Sequence, residues 1–185
     1  MKKSVSVGTS EAVVMGRSAM CEALDRIADA IVENHKDDAM MALVGIRTGG
    51  IHLARRLVST MQERFAREVP IGTLDINLYR DDLVGRARQP VLRTTDIPFD
   101  VTDRNIVLVD DVLFTGRTIR AAMDGVMDLG RPARIQLAIL VDRGHRELPI
   151  AADFVGRELV TTEKQMVKVR LQEEGHLTDA VIITS

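Results

Sequence analysis

A chain of 185 residues, 45% of them hydrophobic, has the length of one ordinary domain and enough apolar material for a core of its own. Its formal net charge of −2 gives no global attraction to nucleic acid or to an anionic membrane. A single cysteine, Cys21, excludes an intramolecular disulfide framework and a cysteine-based structural zinc site, and fits a cytoplasmic protein.

The N-terminus MKKSVSVGTSEAVV carries two lysines but no long apolar stretch. Nothing downstream approaches the roughly 20 apolar residues of a membrane span, so neither a targeting signal nor a membrane anchor is expected. From Ser18 to about Glu33, Met20, Leu24, Ile27 and Ile31 recur with a helical period, while Glu22, Asp25, Asp29 and Glu33 lie on the other face. The run AMMALVGI reads as a buried strand that stops at the turn Arg47-Thr48-Gly49-Gly50. A helix marked by Ala54, Leu57, Val58, Met61 and Phe65 follows, and then IGTLDINLY, which alternates as a strand ending near Tyr79.

Between Arg80 and about Arg104 no helical period survives, and Pro90, Pro98, Gly85, Arg86, Arg88 and Arg93 interrupt the pattern. A loop this long in a compact domain is often an active-site lid. Ile106 to Val109 then reads as a strand, Asp110 to Arg117 as a turn, and about Thr118 to Leu129 as a helix closed by Gly130 and Pro132. RIQLAILVD, Arg134 to Asp142, is a further buried strand leading to a polar turn over Arg143 to Pro149. MVKVRL and AVIITS are β-like runs near the end. The alternation predicts an α/β fold, a mainly parallel sheet with helices on its faces.

The stretch IVLVDDVLFTGRTI, Ile106 to Ile119, holds the most specific chemistry. In DVLFTGRT, small and hydroxyl residues lead directly into a helix, so backbone N–H groups, the helix dipole and the Thr115 and Thr118 hydroxyls converge on one point that suits a phosphate. Asp110 and Asp111 cannot face that anion, since like charges about 4 Å apart repel by roughly 4 kcal/mol at an effective dielectric near 20. A sugar phosphate resolves the conflict: the turn takes the phosphate and the carboxylates take the sugar hydroxyls. Mg²⁺ can share that edge, because it favours carboxylate, water and phosphate oxygens. The absence of GxxxxGK[ST] and of GxGxxG removes the usual support for ATP hydrolysis and dinucleotide binding. In an open α/β sheet the crevice lies at the carboxyl ends of the strands, where RTGG and DDVLFTGRT would both sit.

IVLVDDVLFTGRT resembles the phosphoribosyl-diphosphate (PRPP) signature of the type I phosphoribosyltransferases. With GIRTGG, LDINLYRDDL, DIPFDVTD, GRPARIQLAILVDRGHRELPI and ADFVGRE, the chain resembles the PyrR family over most of its length. That resemblance implies a type I phosphoribosyltransferase fold in one domain over residues 1–185, with a small hood and a lid loop at about 80–104. It also implies that uracil and PRPP give UMP and pyrophosphate, and that pyrimidine operons are regulated, in many members through binding of the mRNA leader. Mg²⁺ would come with PRPP, near Asp110 and Asp111 and without a ligand set of the protein's own. A homodimer or larger assembly is expected.

By the same resemblance, Asp110 and Asp111 hold the ribose hydroxyls. Thr115, Gly116, Arg117 and Thr118 cradle the 5′-phosphate, Val112, Leu113 and Phe114 belong to the same PRPP/UMP site, and Thr48, Gly49 and Gly50 form the pyrophosphate loop. Arg80 closes over the pyrophosphate, and the turn Asp142 to His145 lines the base pocket with Arg143 near the pyrophosphate. The family pattern has Thr-Arg-Gly where this chain has Thr48-Gly49-Gly50, which removes a cationic side chain. RNA-binding members carry basic or polar residues on the first helix and around ELPI, where this chain has Asp25, Asp29 and Ala151. His145, Arg146, Arg157 and Lys164 remain as a smaller basic patch for RNA. Two alternatives stay open at this point: a nucleotide-sensing RNA-binding attenuator with vestigial catalysis, and a phosphoribosyltransferase for another base.

Overall fold

The structure, a computed structural model, describes residues 11–36, 38–76 and 95–185. Its main sheet has five strands in the order β3-β2-β4-β5-β6, formed by Met41–Ile46 (β2), Ile71–Leu74 (β3), Asn105–Leu113 (β4), Arg134–Asp142 (β5) and Phe154–Glu158 (β6). All neighbouring pairs in it are parallel. Helices α1 (Arg17–Asn34) and α2 (Gly49–Phe65) cover one face and α3 (Arg117–Leu129) the other. β2 shows why the sequence does this: its residues are all buried, Met41 and Leu43 toward α1 and α2, Ala42, Val44 and Ile46 toward α3. Successive side chains in a strand point to opposite faces, so a strand covered twice must be apolar throughout. Val107 and Val109 against Ile106 and Leu108 repeat the division in β4.

A second sheet, in the order β1-β8-β7, joins Glu11–Gly16 (β1), Met166–Arg170 (β7) and Ala180–Thr184 (β8) in antiparallel pairs. Neither β1 nor β6 is expected from the sequence pattern. EAVVMG is short and becomes a strand by pairing Glu11 with Thr184 at the far end of the chain, a contact with no local signal. In β6 only Phe154 and Gly156 are buried, too few to show a period, and a Cβ at Gly156 would lie 2.7 Å from the Leu140 carbonyl oxygen.

Two boundaries also move. β4 continues through both aspartates to Leu113, because Asp110, Val112 and Leu113 pair with Ile139, Val141 and Asp142 of β5. The expected turn over Asp110–Arg117 therefore shortens to Phe114–Gly116. Of the long loop expected over 80–104, residues 80–94, Arg80 included, lie outside the described residues. Residues 95–104 belong to the body: Asp96 exchanges backbone hydrogen bonds with Thr73 at 2.7 and 2.8 Å, and Val101 is buried beneath α3.

The small sheet is fastened to α2 by one cation. Arg56 donates to both Glu173 oxygens at 2.8 and 2.6 Å and to both Asp179 oxygens at 2.8 and 3.0 Å. Burial works against ionised Asp179, but the hydrogen bonds from Arg56 and from the Gln172 N–H outweigh it and hold its carboxyl below the usual range. A depressed folded pKa means stability that is complete above the unfolded value, about 3.9, and lost as pH falls through the folded one. Arg56→Met is therefore expected to destabilise the fold by about 3 kcal/mol at neutral pH, since it strands a buried carboxylate. Denaturant titrations of both proteins should show that difference shrinking as pH falls below about 4.

Candidate active site

The strand order reverses between β2 and β4, so the connections leaving those two strands diverge and open a crevice at their carboxyl ends. On the β2 side, Arg47 and Thr48 lead into α2 through a cis Arg47–Thr48 peptide. α2 can start this close to the sheet because its first residues are glycines. A Cβ at Gly50 would fall inside the van der Waals shell of the Val109 carbonyl oxygen and 3.1 Å from the Asp110 Cα. At Gly49 it would meet the Asp111 Oδ2 at 2.8 Å. The missing side chain at position 49 thus makes room for the second aspartate against the loop.

A cleft of about 420 Å³ lies between the two connections, and Thr48, Gly49, Asp110, Asp111, Val112 and Thr118 line it. Arg47, Ile76 and Glu174 complete its wall. No motif in the sequence marks these three as site residues, and Glu174 has no local signal: it lies in a single 3-10 turn, Gln172–Glu174, beyond β7. Asp110 is buried, and its Oδ1 accepts from the Asp111 N–H at 3.0 Å. Asp111 is partly exposed, and its Oδ1 accepts from the Val112 N–H at 2.8 Å. Burial pushes the Asp111 carboxyl above the usual carboxylate range, and the nearby Glu174 carboxylate adds to this against the hydrogen bonds of Val112 and Asp110. A carboxylate held at that cost is suited to accept from hydroxyls or to face a cation.

Val112 and Thr118 also line an adjoining cleft of about 360 Å³ formed by Val112 to Ile119 and Glu147. Gly116 adopts φ +92° and begins α3, so backbone N–H groups of the first turn open into this space. Leu113 is buried beneath α3 and holds the turn in place. Arg117 gives its Nε–H to Glu147 at 2.7 Å. Arg117 stands in the phosphate turn as the motif implies, whereas Glu147, 30 residues on, is brought there by the fold.

Arg143 lines neither cleft. It is buried with its guanidinium 4.1 Å from the Phe114 ring centroid, donates through Nη2 to the Thr162 carbonyl at 3.0 Å, and its Nε–H finds no hydrogen-bond partner among the described residues. Burial pulls its pKa down. Of the residues expected to meet RNA, Arg146 points inward: it donates to the carbonyls of Phe114, Gly144 and Ile150 and to the Asp142 carboxylate. His145 donates its Nε2–H to the Thr161 carbonyl at 2.7 Å, and Arg157 donates to the Val14 carbonyl at 2.9 Å while remaining exposed. Lys164 is exposed. On α1, Asp29 pairs with Arg64 of α2 at 2.9 Å and Asp25 lies 3.9 Å from it.

A parallel sheet with a carboxylate pair and a helix-start turn at its switch point defines a phosphoribosyltransferase-type α/β protein. The family model described as "phosphoribosyl transferase domain" matches residues 17–174. The chain belongs to that family and, within it, to the PyrR family. It is 55% identical over 163 residues to the bifunctional protein PyrR of Deinococcus radiodurans, covering 88% of this chain and 89% of that one. It is 54% identical over 170 residues to the bifunctional protein PyrR of Geobacter sulfurreducens, covering 92% and 96%. A solved structure of a hypoxanthine-guanine phosphoribosyltransferase from Bacillus anthracis shares the fold, with a TM-score of 0.69 at 15% identity over 92% of this chain and 96% of that one. Among the described residues no helix is long and apolar enough to cross a membrane.

Proposed function

We propose that the protein transfers the phosphoribosyl group of PRPP to uracil, giving UMP and pyrophosphate, and takes part in regulating pyrimidine biosynthesis genes. One observation carries this reading: Asp110 and Asp111 share a cleft with the Thr48–Gly49 loop and adjoin the Gly116 turn, so one edge offers seats for pyrophosphate, ribose and 5′-phosphate in that order. In the reaction the uracil N1 bonds to the ribose C1, the bond from C1 to the pyrophosphate oxygen breaks, and the N1 proton leaves. Positive charge developing at C1 is met by the carboxylate pair, and positioning of the two reactants provides most of the acceleration. The turn Asp142 to His145 is assigned to the base side, where its backbone groups would read the uracil edge, and Arg143 braces that turn from within through Phe114 and the Thr162 carbonyl.

The donor set suits Mg²⁺ carried by PRPP. Asp110, Asp111 and Glu174 bring hard carboxylate oxygens to the cleft, yet no group of three or more His, Cys, Asp or Glu able to hold a metal occurs among the described residues. The phosphates would supply the remaining oxygens, and the ion would neutralise the departing pyrophosphate. Arg80 is assigned to cover that pyrophosphate and keep water from the donor. The domain is read as a single unit over residues 1–185 that works as a homodimer or larger assembly in the cytoplasm.

The relatives' description as bifunctional favours regulation as a second role. Exposed Arg157 and Lys164 support contact with an mRNA leader, and Arg64 offsets the Asp25 and Asp29 charges on α1. Incubating the purified protein with Mg²⁺, PRPP and uracil is expected to yield UMP by chromatography. Turnover with hypoxanthine or guanine and none with uracil would overturn the choice of base. For regulation, the leader of its own pyrimidine operon should bind with an affinity that falls steeply with salt. Equal binding of an unrelated RNA at 0.2 M salt would refute a specific role.

A further inference from the structure

The cleft around Gly116, proposed as the 5′-phosphate seat, is lined by two charged side chains, Arg117 and Glu147, and they form an ion pair. Arg117 would be the natural partner of an incoming ester, but its Nε–H is already given to Glu147 Oε2 at 2.7 Å. Glu147 is not there as a loose surface residue. Its own N–H and that of Leu148 donate to the Thr115 carbonyl at 3.0 and 3.2 Å, which fastens this segment to the turn. Arg146 fastens the same segment from behind, through the carbonyls of Phe114 and Ile150. Only the end of the Glu147 side chain, 52% exposed, has room to swing into water.

We propose that Glu147 is a built-in competitor for the phosphate ester. Its carboxylate contends with the ester for Arg117, so binding requires the side chain to turn outward, and release of the nucleotide is assisted when it returns. A phosphate monoester carries about −1.5 to −2 charges at neutral pH, so its approach to a seated carboxylate is unfavourable until that turn is made. The seat thereby holds the product less tightly than its donors alone would. This inference rests on the phosphoribosyl reading of the cleft, and it concerns the affinity of the seat, not the identity of the base.

Glu147→Gln removes the charge while keeping both backbone hydrogen bonds and an oxygen for the Arg117 Nε–H. Calorimetric titration with ribose 5-phosphate, which carries no base, and with UMP should show Kd about three- to fivefold lower in the variant, the scale of one exposed ion pair. The KM for PRPP should fall by a similar factor. The gain should disappear when Glu147→Gln is combined with Arg117→Gln, because the competition is for that guanidinium. An unchanged or higher Kd in Glu147→Gln overturns the proposal, as does an equal gain in the Arg117→Gln background. If the wild-type protein binds neither ligand, the phosphate-seat reading fails and this inference with it. Wild-type binding with an unresponsive Glu147→Gln defeats this inference alone.

Discussion

Replacing both carboxylates, Asp110→Asn with Asp111→Asn, is expected to lower turnover at least a hundredfold, roughly the cost of losing a positioned charge contact, while leaving the melting temperature within about 3 °C of wild type. The two effects separate because of where the pair sits. Asp110 is buried within β4 and Asp111 lies against Gly49, so isosteric amides keep the packing. The sign for Asp111 points the same way. Its folded pKa is raised, so its ionised form costs stability as pH rises above the unfolded value, and an amide removes that cost at neutral pH. Asp111 thus costs the fold something and serves the site. Steady-state kinetics beside thermal unfolding checks both halves, and near-normal turnover in the double variant would refute the assignment.

Gly50→Ala is expected to do the reverse, damaging the fold first and the site through it. The new Cβ would strike the backbone of β4 at Val109 and Asp110, which cannot rotate aside as a side chain can. Overpacking of this kind costs about 3 kcal/mol, or roughly 10 °C in Tm for a domain of this size. Any protein that still folds carries a Thr48–Gly50 loop pushed away from the aspartates, and displacements of about 1 Å cost on the order of a hundredfold in rate. Gly16→Ala is the matched control, since a Cβ there meets nothing within 4 Å and φ is −88°. Its melting temperature should stay within a few degrees of wild type, and a Gly50→Ala protein melting alongside it would show that the close approach of α2 to β4 is dispensable.

Gly49 shows how a sequence difference changes meaning once neighbours are known. As a string, Thr48-Gly49-Gly50 is a loop that lacks a cation found in the family pattern. In the fold, the same glycine is the space into which the Asp111 carboxylate fits, 2.8 Å from where a Cβ would be. Arg146 changes in the same direction. Its charge and its place in RGHREL make it a candidate for RNA, whereas its guanidinium spans the phosphate turn, the 144–150 segment and Asp142.

By itself, the sequence determined the α/β alternation, both glycine turns, and the pairing of an acid pair with an anion-seeking helix start. These are short-range properties: strand and helix periods, turn residues and motif spacing are complete within some fifteen residues, and buried parallel strands such as β2, β4 and β5 announce themselves by apolar runs. Only the tertiary structure decided which strands are neighbours, that β4 runs on past its aspartates, and that β1 closes on β8. It also brought Glu174 to Asp111 and set Glu147 on Arg117 from 30 residues away. Such contacts come from packing elements that are remote in sequence, and a side chain recruited from afar carries no period and no motif to mark it.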